Sequence, residues 1–145
     1  MTNIEKVRNF VLKQFQAQMD VPFRNDGIEH TLHVVSYASM LAKQRNINTE
    51  EAVIASYLHD LATYTSHYSD NHALRSSKQA KTLLPTLTTL QESSISNIVE
   101  AIKNHSTKNE IHDALSELLK DADVLAHYYS GTILNENEKT RLEKI

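Results

Sequence analysis

The sequence predicts an all-α protein, a single-domain bundle of five or six main helices, and three observations carry that reading. Apolar residues recur at three- and four-residue intervals almost throughout, which is the period of a helix face and not of a strand. Glycine and proline number two each among 145 residues, too few for the turns of a β-sheet protein. No internal repeat, low-complexity segment or linker divides the chain, and its length suits one domain with a real core.

Each element follows in order. Ile4, Val7, Phe10, Val11 and Phe15 make an amphipathic first helix. The segment VPFRNDG reads as a loop, with Pro22, Asn25 and Gly27 as breakers. A second helix runs from about Ile28 to Lys43, carrying Val34, Tyr37 and Leu41 on one stripe. Thr49 suits the N-cap of a third helix, with Glu50 and Glu51 well placed in its first turn. From Ala52 to Ala62 that helix is small or apolar apart from Ser56, His59 and Asp60, so it belongs at the centre of the bundle. TYTSHYSDN reads as a loop, after which Asp70 caps a fourth helix reaching about Leu84, where Pro85 and the following threonines mark a break. Ile95, Ile98, Val99 and Ile102 define a fifth helix ending near Asn104. Leu115, Leu118, Leu119, Ala122 and Leu125 define a sixth, from about Asp113 to Tyr129, which Gly131 closes. A short polar helix in NENEKTRLEKI follows.

Composition excludes several classes of function. The net charge of −3, with no basic run, leaves no electrostatic footprint for nucleic acid. The absence of cysteine excludes disulfides, thiolate metal sites and thiol nucleophiles. No apolar run approaches the ~18 residues that would span a bilayer, and the charged N-terminal segment is no signal peptide, so a cytoplasmic location is expected. The unusual feature is eight histidines.

His59 and Asp60 stand side by side in the most apolar helix. A buried carboxylate costs several kcal/mol unless something compensates it. Neighbours on a helix point about 100° apart, so the two cannot simply satisfy one another. A metal cation would neutralise the aspartate and use the imidazole as well. Other helices offer similar groups. His30 lies on the stripe of Val34, Tyr37 and Leu41, with His33 at its edge, while His72 opens the fourth helix and His105 follows Ile102. Asp121 and Asp123 both flank the apolar face of the sixth helix, and geometry does not choose between them. Bundle proteins build metal sites from single residues projecting inward on several helices.

The stretches HTLHVVSYASMLA, AVIASYLHDLA and LLKDADVLAHY resemble the HD-domain superfamily of metal-dependent phosphohydrolases. His30 matches the first histidine of the family's H-x-x-R-V, His59 and Asp60 its namesake dyad, and Asp123 the aspartate of A-D-x-L. NHALRSSKQAKTLL and IVEAIKNHS resemble the contexts of two further histidines found in the two-metal subset, matching His72 and His105. The resemblance spans roughly residues 26–129. His33 replaces the usual arginine, and the G-Y-P signature of cyclic-dinucleotide phosphodiesterases is absent. The two added histidines set the chain apart from the single-metal branch that includes the alarmone hydrolases.

That resemblance implies a metal-dependent phosphohydrolase cleaving a phosphomonoester or phosphodiester of a small metabolite, a nucleotide first among them, by metal-activated hydroxide. It implies two divalent transition metals (iron, manganese, cobalt, nickel or zinc), consistent with imidazole and carboxylate donors lacking sulfur. Asp60 would bridge them and orient the hydroxide, with His30, His59 and Asp123 on one metal and His72 and His105 on the other. The same ligand set occurs in HD-fold mixed-valence di-iron oxygenases, and a non-catalytic nucleotide-binding sensor is a further alternative. Lys103, Lys108, Arg75 and Lys78 flank His105 and His72 in sequence and are candidate phosphate contacts. His33 is a further candidate substrate contact, His67 a candidate for the mouth of the site or for proton donor to the leaving group, and Tyr64, Tyr68, Tyr128 and Tyr129 are candidates for stacking on a base or sugar. Asp121 reads as a solvated residue or one that supports the ligands from behind, Lys120 as a surface charge, and His112 and His127 carry no assignment. The expected partner is a small phosphorylated metabolite, with the protein a monomer or homodimer.

Overall fold

A computed structural model describes all 145 residues and contains eight helices and no strand. Six are long: α1 (Asn3–Gln16), α2 (Val21–Arg45), α3 (Thr49–Leu58), α5 (His72–Leu87), α6 (Glu92–Asn104) and α7 (Ala114–Tyr129). Two are short, α4 (Leu61–Ser66) and α8 (Glu136–Leu142). The expected bundle is therefore present, with one short helix more than expected.

Helix α3 is its axis. Every residue from Glu51 to Leu58 is buried, and α1, α2, α6 and α7 pack around it. Helix α1 contributes Val7, Val11 and Phe15, one face at four-residue spacing, and begins with a capping box between Thr2 and Glu5. Helix α5 lies along α6, and α2 along α7.

Five local expectations are corrected. VPFRNDG is the first two turns of α2 and not a loop: Asp20 caps it by accepting from the Phe23 N–H at 3.1 Å. Pro22 occupies the first turn, where its missing N–H costs no hydrogen bond. Asn48, not Thr49, caps α3, accepting from the Glu51 N–H at 3.0 Å. Within TYTSHYSDN the chain forms α4, and α5 begins after Asn71 in the left-handed region (φ 52°) with no cap from Asp70. Helix α5 continues through Pro85 to Leu87; both Pro85 and Lys81, whose carbonyl loses its partner, face solvent.

Gly27 is the point at which α2 and α4 meet. A Cβ there would stand 2.5 Å from Cδ1 of Tyr64. Gly27→Val should therefore displace the Tyr64 ring and destabilise the fold by about 1–3 kcal/mol. Denaturant titration of the variant tests this, and unchanged stability would contradict the close approach.

Lys120 and Asp121 are also corrected, because neither is a solvated charge. Lys120 is 0% exposed, and its ammonium donates to Glu117 Oε2 (2.6 Å), the Glu110 carbonyl (2.9 Å) and His112 Nδ1 (2.7 Å). Asp121 is buried between Arg45 (2.6 Å) and Arg141 (3.0 Å), which ties α2, α7 and α8 together. Helical periodicity puts both beside the apolar stripe, but their partners come from the α6–α7 loop, the first turn of α7, α2 and α8, which periodicity does not place.

Candidate metal centre

Five elements bring the six expected donors to one place. His30 comes from the middle of α2, His59 and Asp60 from the α3–α4 junction, His72 from the first position of α5, His105 from the end of α6, and Asp123 from α7. The dyad does not lie on continuous helix. Helix α3 ends at Leu58 and the chain turns at Asp60 (φ −115°, ψ 17°). The turn brings His59 Nε2 within 3.1 Å of Asp60 Oδ2, a convergence that regular helix would not allow.

The donors form two groups sharing Asp60. In the first, His30 Nε2 lies 3.2 Å from His59 Nε2, 3.3 Å from Asp60 Oδ2 and 3.1 Å from Asp123 Oδ1. In the second, Asp60 Oδ1 lies 3.3 Å from His72 Nε2 and 3.2 Å from His105 Nε2, which are themselves 3.2 Å apart. Asp60 thus turns one oxygen to each group.

Backbone carbonyls orient the rings from behind. Nδ1 of His59 donates to the Ser56 carbonyl (2.6 Å), that of His105 to Ile102 (2.6 Å) and that of His72 to Ser69 (3.1 Å). Each carbonyl belongs to the residue three positions earlier. This arrangement directs Nε2 of each ring at the centre, as metal-binding histidines require.

One buried acceptor at the centre has no partner. Asp123 Oδ1 is buried with no hydrogen bond, because the nearby His30 Nε2 does not approach with bonding geometry. Burial alone would raise the Asp60 carboxyl, but the charge on His59 and hydrogen bonds from His105, His30 and His59 hold it well below the usual range. Burial opposes ionisation of Asp123 too, and is outweighed by the Lys108 charge and by His30 and His59. Burial likewise disfavours protonation of His30 and His59, yet Asp123 and Asp60 raise them to about 9 and about 10. His105 goes the other way: burial, helped by the charges of His59 and Lys108, lowers it despite Asp60. A neutral His105 has one proton for two acceptors, the Ile102 carbonyl and Asp60 Oδ1. A cation satisfies what that proton cannot. The imidazole and carboxylate donors suit first-row transition metals.

Two cavities flank the cluster, and Asp60 and His127 line both. The first, of about 370 Å³, is walled by Asp26, Glu29, His33, Tyr64, Ser130 and Thr132. The second, of about 280 Å³, is walled by Thr63, Ser69, Ser106, Lys108, Asn135 and Glu138.

Of the expected substrate contacts, the structure brings two to the site. Lys108 donates to Asp123 Oδ2 (2.8 Å) and to the His105 carbonyl (2.6 Å), and His33 lines the first cavity. The other four stand elsewhere. Arg75 folds over the Tyr68 ring and binds Ser66 Oγ and the carbonyls of Tyr68 and Asp70, clamping the α4–α5 loop. His67 stacks on Phe23 and contacts Gln18 (3.2 Å) without lining either cavity. Lys78 lines a separate groove with Phe10 and Gln14, and Lys103 is exposed on α6. Sequence proximity to His72 or His105 did not place them: Arg75 shares a face with His72 but is taken up by the α4–α5 loop, and Lys78 and Lys103 point away from the cluster.

His127 was passed over. It stands four residues after Asp123 on α7, its ring stacks on that of His30 (centroids 5.0 Å apart), and Glu138 of α8 accepts from its Nδ1 at 2.6 Å. The i, i+4 spacing was a readable signal. Glu138 left no such mark.

Fold and site together define an all-helical protein with a buried histidine–aspartate cluster able to hold metal ions. The chain belongs to the HD domain family, whose model matches residues 27–128. The structure is similar to the crystal structure of a predicted HD superfamily hydrolase from an uncultured Thermotogales bacterium, with a TM-score of 0.72 and 25% identity. The match covers 99% of this chain and 84% of that one. No curated protein matches the chain.

Proposed function

We propose that this protein is a metal-dependent hydrolase of phosphate esters of small metabolites. Two divalent transition metals would be held by His30, His59, Asp60 and Asp123 and by Asp60, His72 and His105. The observation that carries the reading is the division of the Asp60 oxygens between two donor groups, a bridging arrangement suited to two-metal phosphoryl chemistry. When bound, the metals supply a water of lowered pKa and positive charge opposite the phosphate.

The chain's own residues supply the rest. Asp60 fixes the spacing of the two groups, and the carbonyls of Ser56, Ile102 and Ser69 hold the rings in register. Lys108, beside Asp123, adds a cation on the side of the second cavity, where phosphate oxygens would lie. Water adds to phosphorus, the ester P–O bond breaks, and a proton passes to the departing alcohol. No thiol is available as a nucleophile, since the chain has no cysteine. The likeness to a predicted HD superfamily hydrolase supports hydrolysis as the class of reaction.

Protein reconstituted with manganese or iron should release inorganic phosphate from a panel of small phosphate esters that includes nucleotides. The expected result is turnover that chelator abolishes and metal restores. Failure across the panel, in protein shown to carry its metals, would overturn the reading.

A further inference from the structure

We infer that the first cavity receives the alcohol part of the substrate and selects alcohols bearing hydroxyl or ammonium donors, with His127 as the specificity-determining acceptor and Glu138 as its positioning residue. This rests on the phosphate-ester reading above.

The two cavities differ in chemistry. The second contains Lys108, whereas no lysine or arginine lines the first. The first instead presents the carboxylates of Asp26 and Glu29 together with Ser130 and Thr132. That wall repels a further phosphate and accepts hydrogen bonds from hydroxyl or ammonium groups. Nor does it offer a base an open stacking face. Tyr64 is the lone phenol or phenyl ring in the wall, and it is packed against Phe15 (5.4 Å), Phe23 (5.2 Å) and the backbone of Gly27.

His127 lines both cavities. Its Nδ1 is paired with Glu138 Oε2, so in the neutral ring Nε2 presents a lone pair toward the cavities. Nε2 lies 3.6 Å from Asp123 Oδ1, another acceptor, and outside both groups of metal donors. Its lone pair is therefore left for whatever enters. Glu138 is itself fully oriented, with Oε1 accepting the Asn135 N–H in the capping box of α8. Arg141 then pins α8 through the Lys108 carbonyl (2.9 Å), Glu117 and Asp121. The ring is fixed from two sides, by Glu138 and by its stack on His30.

Calorimetric titration of the full-length, manganese-loaded protein tests this with four probes: inorganic phosphate, glycerol 3-phosphate, phosphoethanolamine and adenosine 5′-monophosphate. At least one of the glycerol and ethanolamine esters should bind about tenfold or more tighter than inorganic phosphate, roughly one hydrogen-bonded group's worth of affinity. These two arms separate hydroxyl from ammonium recognition. Adenosine monophosphate should bind no tighter than inorganic phosphate. His127→Phe keeps a ring against His30 and should bring the ester-to-phosphate ratio close to one, whereas a purely structural role would weaken all four probes alike. The inference is overturned by that uniform loss, by adenosine monophosphate binding tightest, or by neither small ester exceeding phosphate. If His127→Phe folds poorly, the wild-type ranking decides alone. Preference without turnover would sink the hydrolase reading and keep this one; turnover with a nucleotide preference would do the reverse.

Discussion

Asp60→Ala should empty both halves of the metal centre while leaving the helical bundle intact. Asp60 is the one residue common to both donor groups, so its loss removes an oxygen from each. Outer residues that merely orient a ligand typically cost 10–100-fold in metal affinity, and a shared carboxylate should cost more than that. The Asp60 side chain is not among the apolar residues that pack α3 into the core, so far-UV circular dichroism should be unchanged. Metal analysis after gel filtration gives the readout. A variant that retains its metals and its turnover would remove the basis for the bridging assignment.

Metal binding should also depend steeply on pH. In metal-free protein His30 and His59 keep their protons to about 9 and about 10, because Asp123 and Asp60 outweigh the effect of burial. A metal can take those nitrogens only after the protons leave. With two protons displaced, apparent affinity should rise about 100-fold per pH unit through neutral pH and level off above about 10. The stability of the metal-free protein should run the opposite way. The raised histidines contribute fully below their ordinary 6.5, and that contribution is lost as pH climbs through 9 to 10. The lowered carboxyls of Asp60 and Asp123 contribute above their ordinary 3.8 and cease to do so as pH falls below it. Chelated protein should thus melt highest between those ordinary values, and metal should raise the melting temperature most on the alkaline side. Melts with and without chelator across pH, with metal titrations followed by proton release, test both. An affinity that stays flat from pH 6 to 8 would show that His30 and His59 carry no such protons.

The donor positions stood out as ionisable residues on or beside apolar helix stripes, where burial demands a partner, and the resemblance to the HD-domain motifs gathered them into one site. The choice between Asp121 and Asp123 was not legible from periodicity, since both flank the same stripe. The fold separates them, giving Asp121 to Arg45 and Arg141 and turning Asp123 to His30. Pro22 and Gly27 misled for a related reason. A proline in a first turn and a glycine under an aromatic ring both look like breakers until the neighbouring element is in place. Arg75 shows the limit of proximity along the chain: three residues from His72, it serves the loop and not the cluster. Glu138 was invisible because its meaning depends on α8 folding back onto α7.

The metal donors all fall between His30 and Asp123, inside the span matched by the family, whereas Glu138 and Arg141 lie beyond it. The short helix thus bears on the site from outside the cage of donors. Exchanging a seven-residue helix could alter what the site accepts without touching a single metal donor. New specificity on this scaffold would then be reachable by changing its tail, with the chemistry carried along unaltered.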